Sequence, residues 1–260
     1  MDRDLFKRIT HEMAMLGVEE VGPFLIGEPF IDPVRLVEAV RWLKQIKIPY
    51  VFVTSNATIA GMKYVKKIYD AGLDSLKWSC NWGDKSQFEE YTGVSGNVWE
   101  NAQGNIKMAW EVRLAGGYTT HLYASSIDYG GDHRQFMEPY LRRYVRPYVD
   151  EHYWLPLYSM GGLSRDREKE LQLKPIAGNQ GKADDPVDPI PCWTLFTAAH
   201  IMADGRMTAC CADAVGDWVV GDLNTQSFME CWHSPKFQEL RAAHLKGDII
   251  GTECEKCVLY

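Results

Sequence analysis

The stretch YVFVTSN, residues 50–56, is a run of aromatic and β-branched residues that ends on Thr54, Ser55 and Asn56. That composition belongs to a strand buried in a parallel sheet. Helical patterns flank it on both sides. Upstream, Asp32-Pro33 supplies an N-cap followed by proline at the first helical position, and Leu36, Val40 and Leu43 form one apolar stripe. Downstream, Met62, Val65 and Ile68 recur at helical spacing before Gly72. A strand between two helices is the repeating unit of an α/β sheet.

Working outward, the unit recurs. VEEVGPFLIGEPF reads as a strand running into a loop, preceded by a helix with Leu5, Ile9, Met13 and Leu16 on one face and Gly17 at its end. SLKWSCNW reads as the next strand. After it, a capping box from Ser86 to Glu89 opens a helix with Trp99, Ala102, Ile106 and Ala109 inward, ending at Gly116-Gly117. YTTHLYASSI, a helix from Arg134 to Tyr148 interrupted by Pro139 and Pro147, and YWLPLYS complete the series. Five strands alternating with helices predict a parallel sheet with right-handed crossovers, open or curled toward a barrel. Ligands bind such sheets at the carboxyl ends of the strands. Three of those ends are polar: Gly27-Glu28-Pro29, Thr54-Ser55-Asn56 and Ser79-Cys80-Asn81.

From Met160 to Pro191 the texture changes to glycine, proline and charge, the mark of a linker. Beyond it, TLFTAAHIMADGRMTACCAD predicts a hairpin turning at Asp204-Gly205. A helix carrying Phe237, Leu240 and His244 or Leu245 follows. The expected organisation is a sheet unit over 1–160, a linker over 161–191 and a small unit over 192–260.

Composition narrows the chemistry. Hydrophobic residues make up 46% and charged residues 24% of 260, values of an ordered globular chain. A net charge of -7, without a basic stripe, argues against nucleic acid and anionic membranes as partners and favours small molecules or proteins. No apolar run reaches signal-peptide or membrane-spanning length, so a cytoplasmic location is expected.

Six of the seven cysteines fall in the last 69 residues: Cys192, Cys210, Cys211, Cys231, Cys254 and Cys257. Reduced thiols at this density point to metal or cluster ligation rather than to disulfides. A hairpin with Cys192 at the start of one strand and Cys210 or Cys211 at the end of the other returns those thiols to one edge, where the Cys254/Cys257 pair completes four ligands. Neighbouring strand residues face opposite ways, so one of Cys210 and Cys211 reaches the site. Four thiolates suit zinc or an iron–sulfur cluster equally. Cys80 and Cys231 read as packing residues, and His121, His133 and His152 as surface or packing residues.

Cys192, twelve residues, Gly205, four residues, Cys210, then MECWHSPKFQELRAAHLKGD and the closing C-x-x-C resemble the auxiliary iron–sulfur domain of radical S-adenosylmethionine enzymes, called SPASM in its full form and twitch in its shorter, single-cluster form. Gly27-Glu28-Pro29, VTSNAT and GLDSLKWSCN resemble the cofactor-binding strand ends of the same family. The resemblance implies an incomplete (β/α)6 partial barrel followed by a small hairpin-and-helix cluster domain. It implies Cys192, Cys210, Cys254 and Cys257 as ligands of an auxiliary 4Fe–4S cluster, with Cys210 preferred over Cys211. It implies Gly27, Glu28, Pro29, Thr54, Asn56 and Ser79 as S-adenosylmethionine contacts. In the family, a second 4Fe–4S cluster reduces S-adenosylmethionine, the resulting radical abstracts hydrogen from a small-molecule or peptide substrate, and flavodoxin or ferredoxin donates the electron. The C-x-x-x-C-x-x-C loop that holds this second cluster does not occur in these 260 residues. Truncation upstream of Met1, a degenerate paralogue and a motif supplied by a partner polypeptide all account for that. The competing class is a non-catalytic α/β scaffold with a structural four-cysteine zinc site.

Overall fold

A computed structural model describes residues 1–158, 162, 165–175 and 191–258. The chain divides into two compact units, Gly17–Leu155 and a second built from Met1–Leu16 together with Pro156–Tyr260.

Helix α1 (Arg3–Met15) opens the chain under an Asp2 cap whose carboxylate accepts from the backbone N–H of Asp4 and Leu5. It belongs to the second unit. Its Arg8 guanidinium donates to the Leu223 carbonyl, and its Glu12 carboxylate accepts the Phe228 N–H at 2.7 Å. The sequence pattern groups this helix with the strands that follow it, because periodicity reports a buried face and not the partner that buries it.

The first unit is the expected sheet. Strands β1 (Glu20–Val21), β2 (Tyr50–Ser55), β3 (Ser75–Ser79), β4 (His121–Asp128) and β5 (Glu151–Pro156) lie in sequence order, and the pairings from β1 to β4 are parallel. Helices α2 (Pro33–Gln45), α3 (Met62–Asp70), α4 (Lys85–Thr92), α5 (Gly96–Gly116) and α6 (His133–Tyr140) provide the crossovers. Alternation along the strands defines two unlike faces. Val51, Val53, Leu76, Trp78, Leu122 and Ala124 are fully buried with Val40, Leu43, Val65, Ile68, Ile106 and Ala109 of the helices. Each such aliphatic side chain contributes about 1.5–3 kcal/mol. Residues of the opposite parity, among them Phe52, Thr54, Lys77, Ser79 and Tyr123, are half-buried.

Two details depart from the sequence reading. The helix expected from Ser86 starts at Lys85 under an Asp84 cap that accepts from Gln87 N–H, and the Gln87 side chain reaches back to Gly83 N–H. An acid two residues earlier caps the first turn instead. That helix is also two helices, α4 closing at Gly93 (φ +67°) before α5 begins. The interrupted helix near Pro139 is α6 followed by a π-helical turn at Leu141–Val145 and a 3-10 turn at Arg146–Tyr148.

In the second unit, α7 (Arg165–Glu170) precedes α8 (Thr194–Thr197), then β6 (His200–Ile201), β7 (Arg206–Thr208) and β8 (Val219–Asp222) form an antiparallel sheet. Helices α9 (Phe228–Trp232), α10 (Pro235–Lys246) and α11 (Glu255–Val258) follow. The turn at Asp204-Gly205 is present, with Gly205 at φ +92° as its left-handed residue. The third strand is additional to the expected hairpin. Most of the 161–191 segment lies outside the described residues.

Candidate iron–sulfur and cofactor sites

Cys192 does not start a strand. It precedes α8, whose first turn forms when Leu195 N–H donates to the Cys192 carbonyl, and its own N–H donates to His244 Nδ1 at 3.2 Å. Cys210 and Cys211 lie past the end of β7 in a turn, where Asp213 N–H donates to the Cys210 carbonyl and Ala212 N–H donates to Cys210 Sγ at 3.4 Å. The argument from alternating strand faces therefore does not apply to this pair. Asp213 builds the turn. Its carboxylate accepts from the Thr208 hydroxyl and from the N–H groups of Gly216, Asp217 and Trp218. Burial alone would push its pKa up, and these donors hold it below the usual range.

Electrostatics link the thiols across the unit. Burial pushes Cys254 up to about 12, with the charges of Cys192 and Cys257 adding to it. A hydrogen bond to Cys211, then burial, pushes the Cys210 thiol up, and Cys192 acts on it too. Cys211 is pulled down by Cys210 and by His200. Cys192 thus lies within electrostatic reach of Cys210 on one side and Cys254 on the other, while Cys211 turns toward His200. Among the described residues no three His, Cys, Asp or Glu side chains are close enough to hold a metal ion. Desolvated thiols that raise one another's pKa close into a ligand shell only when a cation offsets their charge. Cys210 and Cys254 are such thiols, with Cys192 acting on both, and this donor set fits a thiolate-held cluster.

Cys80 is buried just past β3, where burial pushes its thiol up to about 12. Cys231 is fully buried in α9.

In the sheet unit the polar strand ends converge in part. Glu28 Oε1 accepts from the Ser55 hydroxyl at 2.7 Å and from Phe30 N–H, and Oε2 accepts from Asn56 N–H at 2.8 Å. Its carboxylate ties the Gly27-Glu28-Pro29 loop to the end of β2. Gly27 holds φ +95° with open space around it, a conformation that favours glycine. Asn56 Oδ1 accepts from the N–H and hydroxyl of Thr58. Asn56 and Ser79 meet in the lining of a cavity of about 330 Å³, with Asn81, Trp82, Trp99 and Tyr140. Thr54 and the Gly27-Glu28-Pro29 loop are not in that lining. Among the described residues the buried indole nitrogens of Trp82 and Trp99 have no acceptor. The sequence pattern presents Trp99 as an inward residue of a helix and Trp82 as the end of a strand segment, because a buried aromatic residue looks like core.

Residues 192–258 match the family model described as SPASM, iron–sulfur cluster-binding domain. No curated protein matches the chain. Among solved structures, BtrN in complex with AdoMet and 2-DOIA aligns at TM-score 0.58 and 15% identity, over 98% of this chain and 79% of that one. Streptococcus suis SuiB aligns at TM-score 0.64 and 16% identity, over 92% of this chain and 61% of that one. AnSMEcpe with bound AdoMet aligns at TM-score 0.61 and 10% identity, over 99% of this chain and 79% of that one. The chain thus shares the partial-barrel fold of these structures, and residues 192–258 are similar to the SPASM iron–sulfur cluster-binding domain.

Proposed function

We propose that this chain is the scaffold of a radical S-adenosylmethionine enzyme acting on a small molecule or peptide, with Cys192, Cys210, Cys254 and Cys257 holding one auxiliary 4Fe–4S cluster. The supporting observation is the electrostatic reach of Cys192 to both Cys210 and Cys254 inside the segment that matches an iron–sulfur domain. When bound, S-adenosylmethionine and its reducing cluster supply one-electron chemistry that begins with removal of a substrate hydrogen. A flavodoxin or ferredoxin is the proposed source of the electron.

The chain's own residues orient and desolvate. Glu28 fixes the loop after β1 against β2, so the Gly27 and Pro29 backbone is held where an ammonium group can bind beside a carboxylate with one acceptor position left unused. Asn56 and Ser79 face the cavity with donors and acceptors suited to ribose hydroxyls, and the acceptorless indoles of Trp82 and Trp99 suit an acceptor-bearing nucleoside. Thr54 stands one step below on β2. The cysteines of this sequence do not form a C-x-x-x-C-x-x-C loop, so S-adenosylmethionine cleavage requires that loop from outside these 260 residues.

Anaerobic purification with iron, sulfide and zinc analysis tests the reading. The expected protein is brown, with broad absorption near ~400 nm from thiolate-to-iron charge transfer. Cys257→Ala and Cys192→Ala should lose the iron, and Cys80→Ala should keep it. Folded, iron-free protein, or full iron in the Cys257 variant, overturns the assignment.

A further inference from the structure

Among the described residues, the half-buried face of the first sheet carries a lysine with no partner. Lys77 sits at the middle of β3, paired in register with Thr54 of β2 and Tyr123 of β4. Among the described residues no hydrogen bond or ion pair ends at its ammonium, and burial alone pulls its pKa below the usual lysine range. The surrounding positions of the same parity are Tyr50 and Phe52 on β2 and Tyr153 on β5. Tyr50 and Tyr123 are joined by a hydrogen bond, and burial pushes Tyr123 and Tyr153 up. Glu151 acts on both tyrosines, Asp150 acts on Tyr123, and Glu20 of β1 stands in register with Tyr50. None of the three acts on Lys77. Ser79 is the next residue of that parity, roughly 6.6 Å further along the strand. A lysine side chain spans about that distance, which puts the strand ends assigned above to the cofactor within its range.

A desolvated, unpaired ammonium is costly unless an anion meets it. Next to Lys77 the face offers hydroxyls and aromatic surface, and its carboxylates, Glu20 and Glu151, stand on the outer strands β1 and β5. We infer that Lys77 is the anion-binding residue of the substrate cleft, and that the substrate presents a carboxylate or phosphate to it while its uncharged body lies against Phe52, Tyr123 and Tyr153. Calling the ligand a substrate rests on the function proposed above. The anion site itself rests on the strand register and the missing partner.

The test is lysine labelling of the intact chain with pyridoxal 5′-phosphate and borohydride, read by peptide mass spectrometry, with S-adenosylmethionine binding followed in parallel by equilibrium dialysis. Lys77 should label ahead of the exposed lysines. Glutarate or inorganic phosphate should slow that labelling about tenfold, corresponding to ~1.4 kcal/mol of preferential binding, and should do so with S-adenosylmethionine present. Labelling of Lys77 unaffected by either anion, with S-adenosylmethionine still bound, overturns the inference and spares the cofactor reading. Protection by the anions without S-adenosylmethionine binding does the reverse. Protection by S-adenosylmethionine but not by its decarboxylated form, with glutarate no longer competing, assigns the anion to the cofactor and overturns the substrate assignment.

Discussion

At the scale of single residues, His152 shows how burial sets a titration. Its Nε2 lies 3.0 Å from the Ser126 hydroxyl, whose own proton goes to the Cys80 carbonyl, so Nε2 carries the hydrogen. Burial first, then the Arg146 charge, lower its pKa from 6.5 to about 4. As pH falls through 6.5 the unfolded chain takes up a proton that the native ring refuses until about pH 4, so stability drops across that window and levels off below it. Burial lowers His133 as well and gives the same sign. Urea unfolding of wild type and His152→Phe between those limits should show a shallower pH slope in the variant; equal slopes exclude His152 as a source. The sequence placed these histidines as surface or packing residues and could not show which were buried, because no local pattern encodes a neighbour two strands away. Asp213 escaped notice although all four of its donors lie within five residues, because only the turn itself brings them round.

At the scale of elements, one device recurs in the sheet. Asp74, just before β3, accepts Val51 N–H of β2 at 2.7 Å and pairs with Lys44 near the end of α2. Asp150, just before β5, accepts Leu122 N–H of β4 and pairs with Arg113 near the end of α5. In each case an acid ahead of a strand satisfies the neighbouring strand's first orphan donor and is held by a cation from the preceding helix. Asp74→Ala leaves a fully buried N–H unpaired at Val51. The expected loss is about 2–3 kcal/mol, read as a lower urea midpoint at unchanged slope. A change below about 0.5 kcal/mol, the scale of an ordinary surface substitution, would deny the device its role. Strands β2 to β5 and helices α2, α3 and α10 were legible because each carries a full apolar stripe with a cap or a glycine stop. The break at Gly93 and the strand Val219–Asp222 were not. A left-handed glycine inside a helical pattern and a four-residue strand give signals too short to outweigh their surroundings. The true capping box, Ser227 with Glu230, lay in a segment whose helical pattern was read only further on.

At the scale of the whole molecule, chain order and spatial grouping diverge at α1. The helix is first in sequence, yet its bonds to Leu223 and Phe228 each span more than 200 residues and its Ile9, Thr10 and Met13 are buried. Ile9 and Met13 together contribute about 3–6 kcal/mol by their burial. Those residues belong to the unit that carries the cysteines, so that unit draws its stability from the opposite end of the chain. Removing residues 1–16 should therefore weaken the cysteine-bearing unit and leave the sheet unit's own core intact. Hydrogen exchange followed by mass spectrometry distinguishes the two. Protection should fall by about a hundredfold or more across 219–246 and hold across 50–79, since ~3 kcal/mol of local stability corresponds to that factor. Iron content should fall with it, because a thiolate site spread over residues 192–257 depends on the fold that gathers its ligands. Equal loss in both regions would mean that the helix supports the molecule as a whole. Unchanged protection in 219–246 would mean that the cysteine-bearing unit folds without α1, and that the long-range hydrogen bonds follow from a fold already formed.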